Sequence, residues 1–159
     1  MPPSSSSRVS SGSRANRRGK ILEQYVRELL NEEYECVSAS RFFAMRSLEQ
    51  PIFAEQVETG LSIYCKKRIV DFTLYHPQRW PDCLVIQCKW QTLSGSVDEK
   101  YPYEVENIAH AGFPTIIVLD GGGYSEGARQ WLLAQRGKRN LVEVCRQGDI
   151  SRMQAQGRI

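Results

Sequence analysis

The sequence of 159 residues contains no apolar run near the roughly 18 to 20 residues that a membrane-crossing helix requires. Its serine-rich beginning also lacks the apolar segment of a secretory signal. Both absences lead to the expectation of a cytoplasmic protein that does not engage membranes. The cysteines Cys36, Cys65, Cys83, Cys88 and Cys145 include no C-x-x-C pair. An odd number at irregular spacing argues against a disulfide framework and for reduced, mostly buried thiols. His76 and His110 are the only histidines, and neither has ligand spacing, which argues against a structural zinc site. Acidic residues are missing from positions 1–20, which carry Arg8, Arg14, Arg17, Arg18 and Lys20. The other 139 residues hold 16 cations against 18 acids, so the formal charge of +3 belongs to a basic arm rather than to the whole chain. Such an arm holds polyanions without sequence preference, or merely solvates a terminus.

What remains is ordinary for one globular domain, with 41% hydrophobic and 25% charged residues. Residues 1–16 are of low complexity and read as a disordered, basic, Ser/Arg-rich tail, with a single domain over 17–159. From Arg17 to Asn31, Leu22, Tyr25, Val26, Leu29 and Leu30 recur at spacings of three and four, predicting an amphipathic helix. Residues 35–50 are ambiguous. Strands are expected at Phe53 to Val57, Val70 to Tyr75 and Cys83 to Trp90, where branched and aromatic residues concentrate. Pro77 and Pro81 mark the loop from His76 to Asp82 as a hairpin connection. Ser96-Val-Asp-Glu99 has the form of a capping box and predicts a helix from Val97 to about Ala109. A strand at Pro114 to Leu119, a turn at Gly121-Gly-Gly123, a helix at Ser125 to Gln135 and a strand at Leu141 to Cys145 complete the order. This is an α/β layout, a mixed sheet flanked by helices.

The informative residues interrupt two neighbouring strands. Asp71 breaks the apolar run of the second, and Gln87 and Lys89 break the end of the third. Side chains alternate along a strand, so Gln87, Lys89 and Gln91 share a face while Cys88 and Trp90 take the other. With the strands adjacent, an acid, an amide oxygen and an ammonium converge. Burying them is costly unless they serve one another or a ligand. A hard cation such as Mg²⁺, which takes one or two carboxylates and other oxygen ligands, suits the set. It polarises a phosphate and makes water more acidic, while a nearby lysine neutralises developing charge.

Asp71 followed after a hairpin by Gln87-x-Lys89 resembles the signature of the PD-(D/E)xK nuclease superfamily in its Gln-x-Lys variant. The resemblance spans about Gly19 to Cys145 and implies the restriction-endonuclease-like fold, with an αβββαβ core. It further implies a Mg²⁺-dependent endonuclease, with Mn²⁺ able to substitute, acting on double-stranded or branched DNA. A homodimer that cuts both strands is compatible with it. By this resemblance Asp71 is the essential metal ligand, Gln87 ligates through its amide oxygen, Lys89 activates water or stabilises the transition state, and the Cys88 carbonyl completes the shell. Many members add a glutamate from the first helix. Glu23 fits best, about 20° around the helix from Leu30, whereas Glu28 lies on the opposite margin of the stripe. The alternative is a catalytically inactive nuclease fold that binds DNA or serves assembly.

Each residue also has a plainer reading. Asp71 would pair with Arg68 or Lys67, Lys89 would snorkel to the surface, and Glu23 would be a solvated helix flank. Lys67, Arg68, Arg17 and Arg18 are expected to contact phosphates, and Lys100 to reach one near a helix N-terminus. Trp80, in the hairpin loop, is a candidate for stacking on a base.

Overall fold

A computed structural model describes residues 11–92 and 98–159. The first helix, α1, runs Ser11–Leu30 and takes in the end of the stretch read from composition as a tail. Once a helix is anchored, each added residue costs little, and no proline stands in the way. Then follow β1 (Glu35–Cys36), a helical turn α2 (Phe42–Met45) continued by a 3₁₀ turn at Arg46–Leu48, β2 (Ile52–Leu61), β3 (Lys67–His76) and β4 (Trp80–Trp90). Helix α3 (Lys100–Ala111), β5 (Thr115–Asp120), α4 (Glu126–Ala134), β6 (Leu141–Cys145) and α5 (Gln147–Ala155) complete the chain.

The six strands form one mixed sheet in sequential order. Strands β2, β3 and β4 form an antiparallel meander, and β4, β5 and β6 run parallel, joined by crossovers through α3 and α4. This is the α/β arrangement expected of a restriction-endonuclease-like domain. The two-residue β1 edge strand, parallel to β2, was not anticipated, because two residues carry no periodicity. The β3–β4 turn is tighter than its prolines suggested. His76 pairs with Trp80, and His76 Nδ1 accepts the Gln78 and Arg79 amides at 3.2 Å each. Trp80 is therefore strand, packed against the core, with its indole N–H donated to the Arg158 carbonyl at 3.1 Å. Its indole is thereby engaged with the C-terminal segment.

Helices α1 and α5 cover one face of the sheet. Leu22, Val26 and Leu30 of the predicted stripe are fully buried there against Phe53, Phe72, Leu84 and Ile86, with Ile150 and Met153 from α5. On the other face, Phe42 packs over Ile52, Val70 and Val85, while α3 and α4 cover Ile117, Leu119 and Leu141. The capping box at Ser96 falls partly outside the described residues. Cys83 and Cys145 are buried, but Cys36 and Cys65 are exposed, so burial of the thiols is only partial; all five are unpaired.

One glycine fixes the end of β4. Gly121 has φ +100°, and a Cβ there would lie 2.3 Å from the Gln91 carbonyl oxygen. The turn is tied to the same residue, since Gly123 N–H donates to Gln91 O at 2.8 Å and the Gln91 amide donates to Gly123 O at 3.2 Å. Gly122, at φ +71°, has open space around it. Gly121→Ala, which combines strained backbone with a clash, is expected to cost about 2 kcal/mol or more, and Gly122→Ala about 1. Urea denaturation of the two variants checks the difference.

Candidate active site

Side-chain alternation fails in the middle of β3, at Asp71. Val70 packs on the α2 face, yet Phe72, two residues on, packs on the α1 face. The same switch occurs opposite, where Ala54 and Val57 share a face at odd spacing. Gln56, between them, has φ +52°, a left-handed conformation that turns the strand over. The β2–β3 register accordingly runs from Glu55–Phe72 to Val57–Val70 without pairing Gln56 and Asp71. On the other side, the β3–β4 register reaches Phe72–Ile86 and ends. The next β4 amide pointing that way, Cys88 N–H, donates to the Asp71 carboxylate at 2.7 Å. The side chain thus takes the place of a missing ladder acceptor.

Three elements converge on that carboxylate. From α1 comes Glu23, positioned one turn before Arg27, whose guanidinium forks onto Glu55 of β2 at 2.5 and 2.6 Å. From β4 comes Lys89. From α3 comes Glu104, whose carboxylate accepts from Arg68 at 3.0 Å and stands 3.9 Å from the Lys89 ammonium. Glu23, Cys88, Lys89 and Glu104 line an open cleft of about 720 Å³ between α1 and α3, together with Lys20, Trp90, Lys100 and Tyr103. Asp71 lies half-buried beneath. Gln87 is buried, and its amide makes no hydrogen bond to a described residue; carrying the Phe72–Ile86 register one step further sets it beside Asp71.

Burial dominates the electrostatics of the site. Burial pushes the Asp71 carboxyl above the usual carboxylate range, against the lowering effects of the Cys88 amide, Lys89 and Gln56, and Glu104 adds to the rise. Glu23 is also raised, first by burial and next by the charge of Asp71. The Cys88 thiol is pushed strongly up by burial, then by Asp71 and Glu23, so it stays protonated and is no thiolate ligand. Among the described residues no three Asp, Glu, His or Cys side chains form a group that could hold a metal. A cation here would rest on two carboxylates, Asp71 and Glu23, supplemented by the neutral oxygens of Gln87 and the Cys88 backbone. That donor set is the hard, oxygen-only kind suited to Mg²⁺ or Mn²⁺, and two raised carboxylates beside the amide of Gln87 fit it.

The remaining expected residues divide. Arg18 is exposed, with its guanidinium 6.0 Å from the centre of the Trp90 ring at the cleft, and Arg17 and Lys100 are exposed. Lys67 is exposed and pairs with Glu58 at 3.2 Å rather than with Asp71. Arg68 is a correction. Its side chain is only 7% exposed and is held by Thr59 at 3.2 Å and by Glu104, because an unpaired guanidinium at that buried strand position would be costly. It is unavailable to a phosphate. Glu28 is exposed and bonded by Gln24 on the outer side of α1. Glu104 escaped the sequence reading, although its position gave a signal: three residues after Tyr101 and four before Ile108, it puts an acid on the buried stripe of α3.

Because the folded pKa of Asp71 lies above its unfolded value, its contribution favours folding below the ordinary carboxylate range and is lost as pH rises through the folded pKa. Without divalent metal, Asp71→Asn is therefore expected to be more stable than the parent protein at pH 7 to 8, with the advantage vanishing at acid pH. Thermal unfolding across that range measures it.

No curated protein and no solved structure matches the chain. A family model does, over residues 14–155, from the first turns of α1 to the end of α5, and its subject is the PD-(D/E)XK nuclease superfamily domain. With an acid at a broken ladder of one hairpin strand and a lysine on the next, the chain belongs to the PD-(D/E)XK nuclease superfamily.

Proposed function

We propose that this domain is a divalent-cation-dependent endonuclease that hydrolyses phosphodiester bonds in DNA, with Mg²⁺ as the working ion and Mn²⁺ able to replace it. The observation that carries this reading is that Glu23 and Lys89 line one open cleft and both act electrostatically on Asp71, whose carboxylate is held by the amide of the cleft residue Cys88. Asp71 and Glu23 would hold the ion, with the Gln87 amide oxygen and the Cys88 carbonyl. When bound, a divalent cation supplies charge that polarises a phosphate and lowers the pKa of water.

The chain's own groups do the rest. Lys89, about 39% exposed and steered by Glu104, presents its ammonium to the cleft, where it neutralises charge growing on the phosphoryl oxygens. Burial around Asp71 keeps its carboxylate fixed on the Cys88 amide, so little reorganisation accompanies the reaction. Lys20, Lys100 and Arg18 set a positive rim that attracts the phosphate backbone of double-stranded or branched DNA. Gln87 makes the site one charge poorer than a glutamate would, which places more of the burden on Glu23.

Supercoiled plasmid incubated with Mg²⁺ or Mn²⁺ tests the reading. Nicking is expected in the parent protein and a loss of about 100-fold or more in Asp71→Ala and Lys89→Ala. Gln87→Glu is expected to retain or raise activity at low Mg²⁺. DNA binding with no cleavage under either metal would instead identify a non-catalytic module.

A further inference from the structure

The hairpin joining β2 to β3 carries an aromatic surface that the chemistry above leaves unused. Tyr64 at its tip is 68% exposed, and Ile63 and Leu61 beside it are exposed as well. The tip is a built turn rather than a loose loop. Ser62, itself buried, accepts the Tyr64 and Lys66 amides through its hydroxyl at 3.3 Å each, and Cys65 adopts φ +56° to close the turn. The buried Asn107 of α3 accepts the Ile63 amide at 2.9 Å and fixes the tip against the helix. Tyr64 is thereby laid on Tyr103, ring centres 5.2 Å apart and planes 23° from parallel.

Tyr103 lines the same cleft as Lys89 and Glu104. The two rings therefore make a short staircase leading out of the cleft, and its outer step is open to solvent. Past Cys65 come Lys66 and Lys67, both exposed, Lys67 in a pair with Glu58, so the tip that bears the open ring also carries positive charge. A flat aromatic face beside lysines, continuous with a phosphodiester-cleaving cleft, matches an unpaired nucleotide. Bases stack on such rings whatever their identity, while the lysines track the backbone. A base paired in the interior of a duplex presents only its edge and cannot reach the ring face.

We propose that Tyr64, backed by Tyr103, is a stacking platform for an unpaired base, and that the domain prefers DNA in which a single-stranded arm leaves a duplex. The inference rests on the proposed action on DNA and specifies the form of that DNA. It gives the base-stacking role to Tyr64 rather than to Trp80, which is committed to the C-terminus.

The test is a binding measurement in EDTA, so that it does not depend on cleavage. A forked DNA with 2-aminopurine in its unpaired arm and a blunt duplex of the same length serve as probes. The parent protein is expected to bind the fork more tightly and to quench the 2-aminopurine emission. Tyr64→Leu, which keeps an apolar contact on Tyr103, is expected to lose the quenching and at least about fivefold in fork affinity, with duplex affinity unchanged. Tyr64→Trp is expected to restore both. Equal loss on fork and duplex, or full quenching in Tyr64→Leu, would overturn the proposal while leaving the nuclease reading intact. A shift of parent protein, but not Tyr64→Leu, to a dimer on sizing would also overturn it, assigning the tip to a second copy. Failure of the parent to bind either DNA would remove the functional reading itself.

Discussion

The site depends on one hydrogen bond, from the Cys88 amide to the carboxylate of Asp71. In a regular hairpin that amide would meet a backbone carbonyl, and the side chain of residue 71 would alternate onto one face like its neighbours. Here both ladders of β3 skip this position, with Gln56 turned left-handed on one side and the β4 pairing ended on the other. A carboxylate is a strong enough acceptor to satisfy the orphaned amide. It therefore tolerates a gap in the sheet that would be costly for an apolar residue, and it stands at the gap's edge, where a ligand from solvent can reach it.

The surrounding elements follow from the same constraint. An acid placed half-buried in a sheet calls for positive charge, and the chain supplies it sparingly. Lys89 is shared with Glu104, Arg68 is consumed by Glu104 and Thr59, and Arg27 is consumed by Glu55. These cations are engaged elsewhere, and burial, with the mutual repulsion of the acids, leaves the Asp71 and Glu23 carboxyls raised. Such tension is common where a protein gives up stability for a binding site. In the proposed reading it is relieved by a divalent cation, and the amide of Gln87 lends oxygen without further repulsion.

Much of this was legible in the sequence because it obeys local rules. The stripe of Leu22, Val26 and Leu30 has helical period, and the run from Val70 to Leu74 has the composition of a buried strand, so an acid within it stands out. Glu23 could be chosen over Glu28 by angle alone. What was not legible depends on distant partners. The fate of Arg68 is set by Glu104, 36 residues later, and that of Trp80 by the carbonyl of Arg158. Neither pairing leaves a mark in the neighbouring letters. The turnover of β2 at Gln56 is equally silent, because a glutamine is not a residue that signals positive φ. The stacking of Tyr64 on Tyr103 joins a hairpin tip to a helix face, which no periodicity connects.

The central claim is that Asp71 and Glu23 form a single cation site at the break in the sheet. Calorimetric titration of the metal-free protein with Mn²⁺, in the absence of DNA, tests it most directly. The account predicts one binding event that is abolished by Asp71→Asn and weakened by Glu23→Gln. Unchanged Mn²⁺ binding in both variants would contradict it.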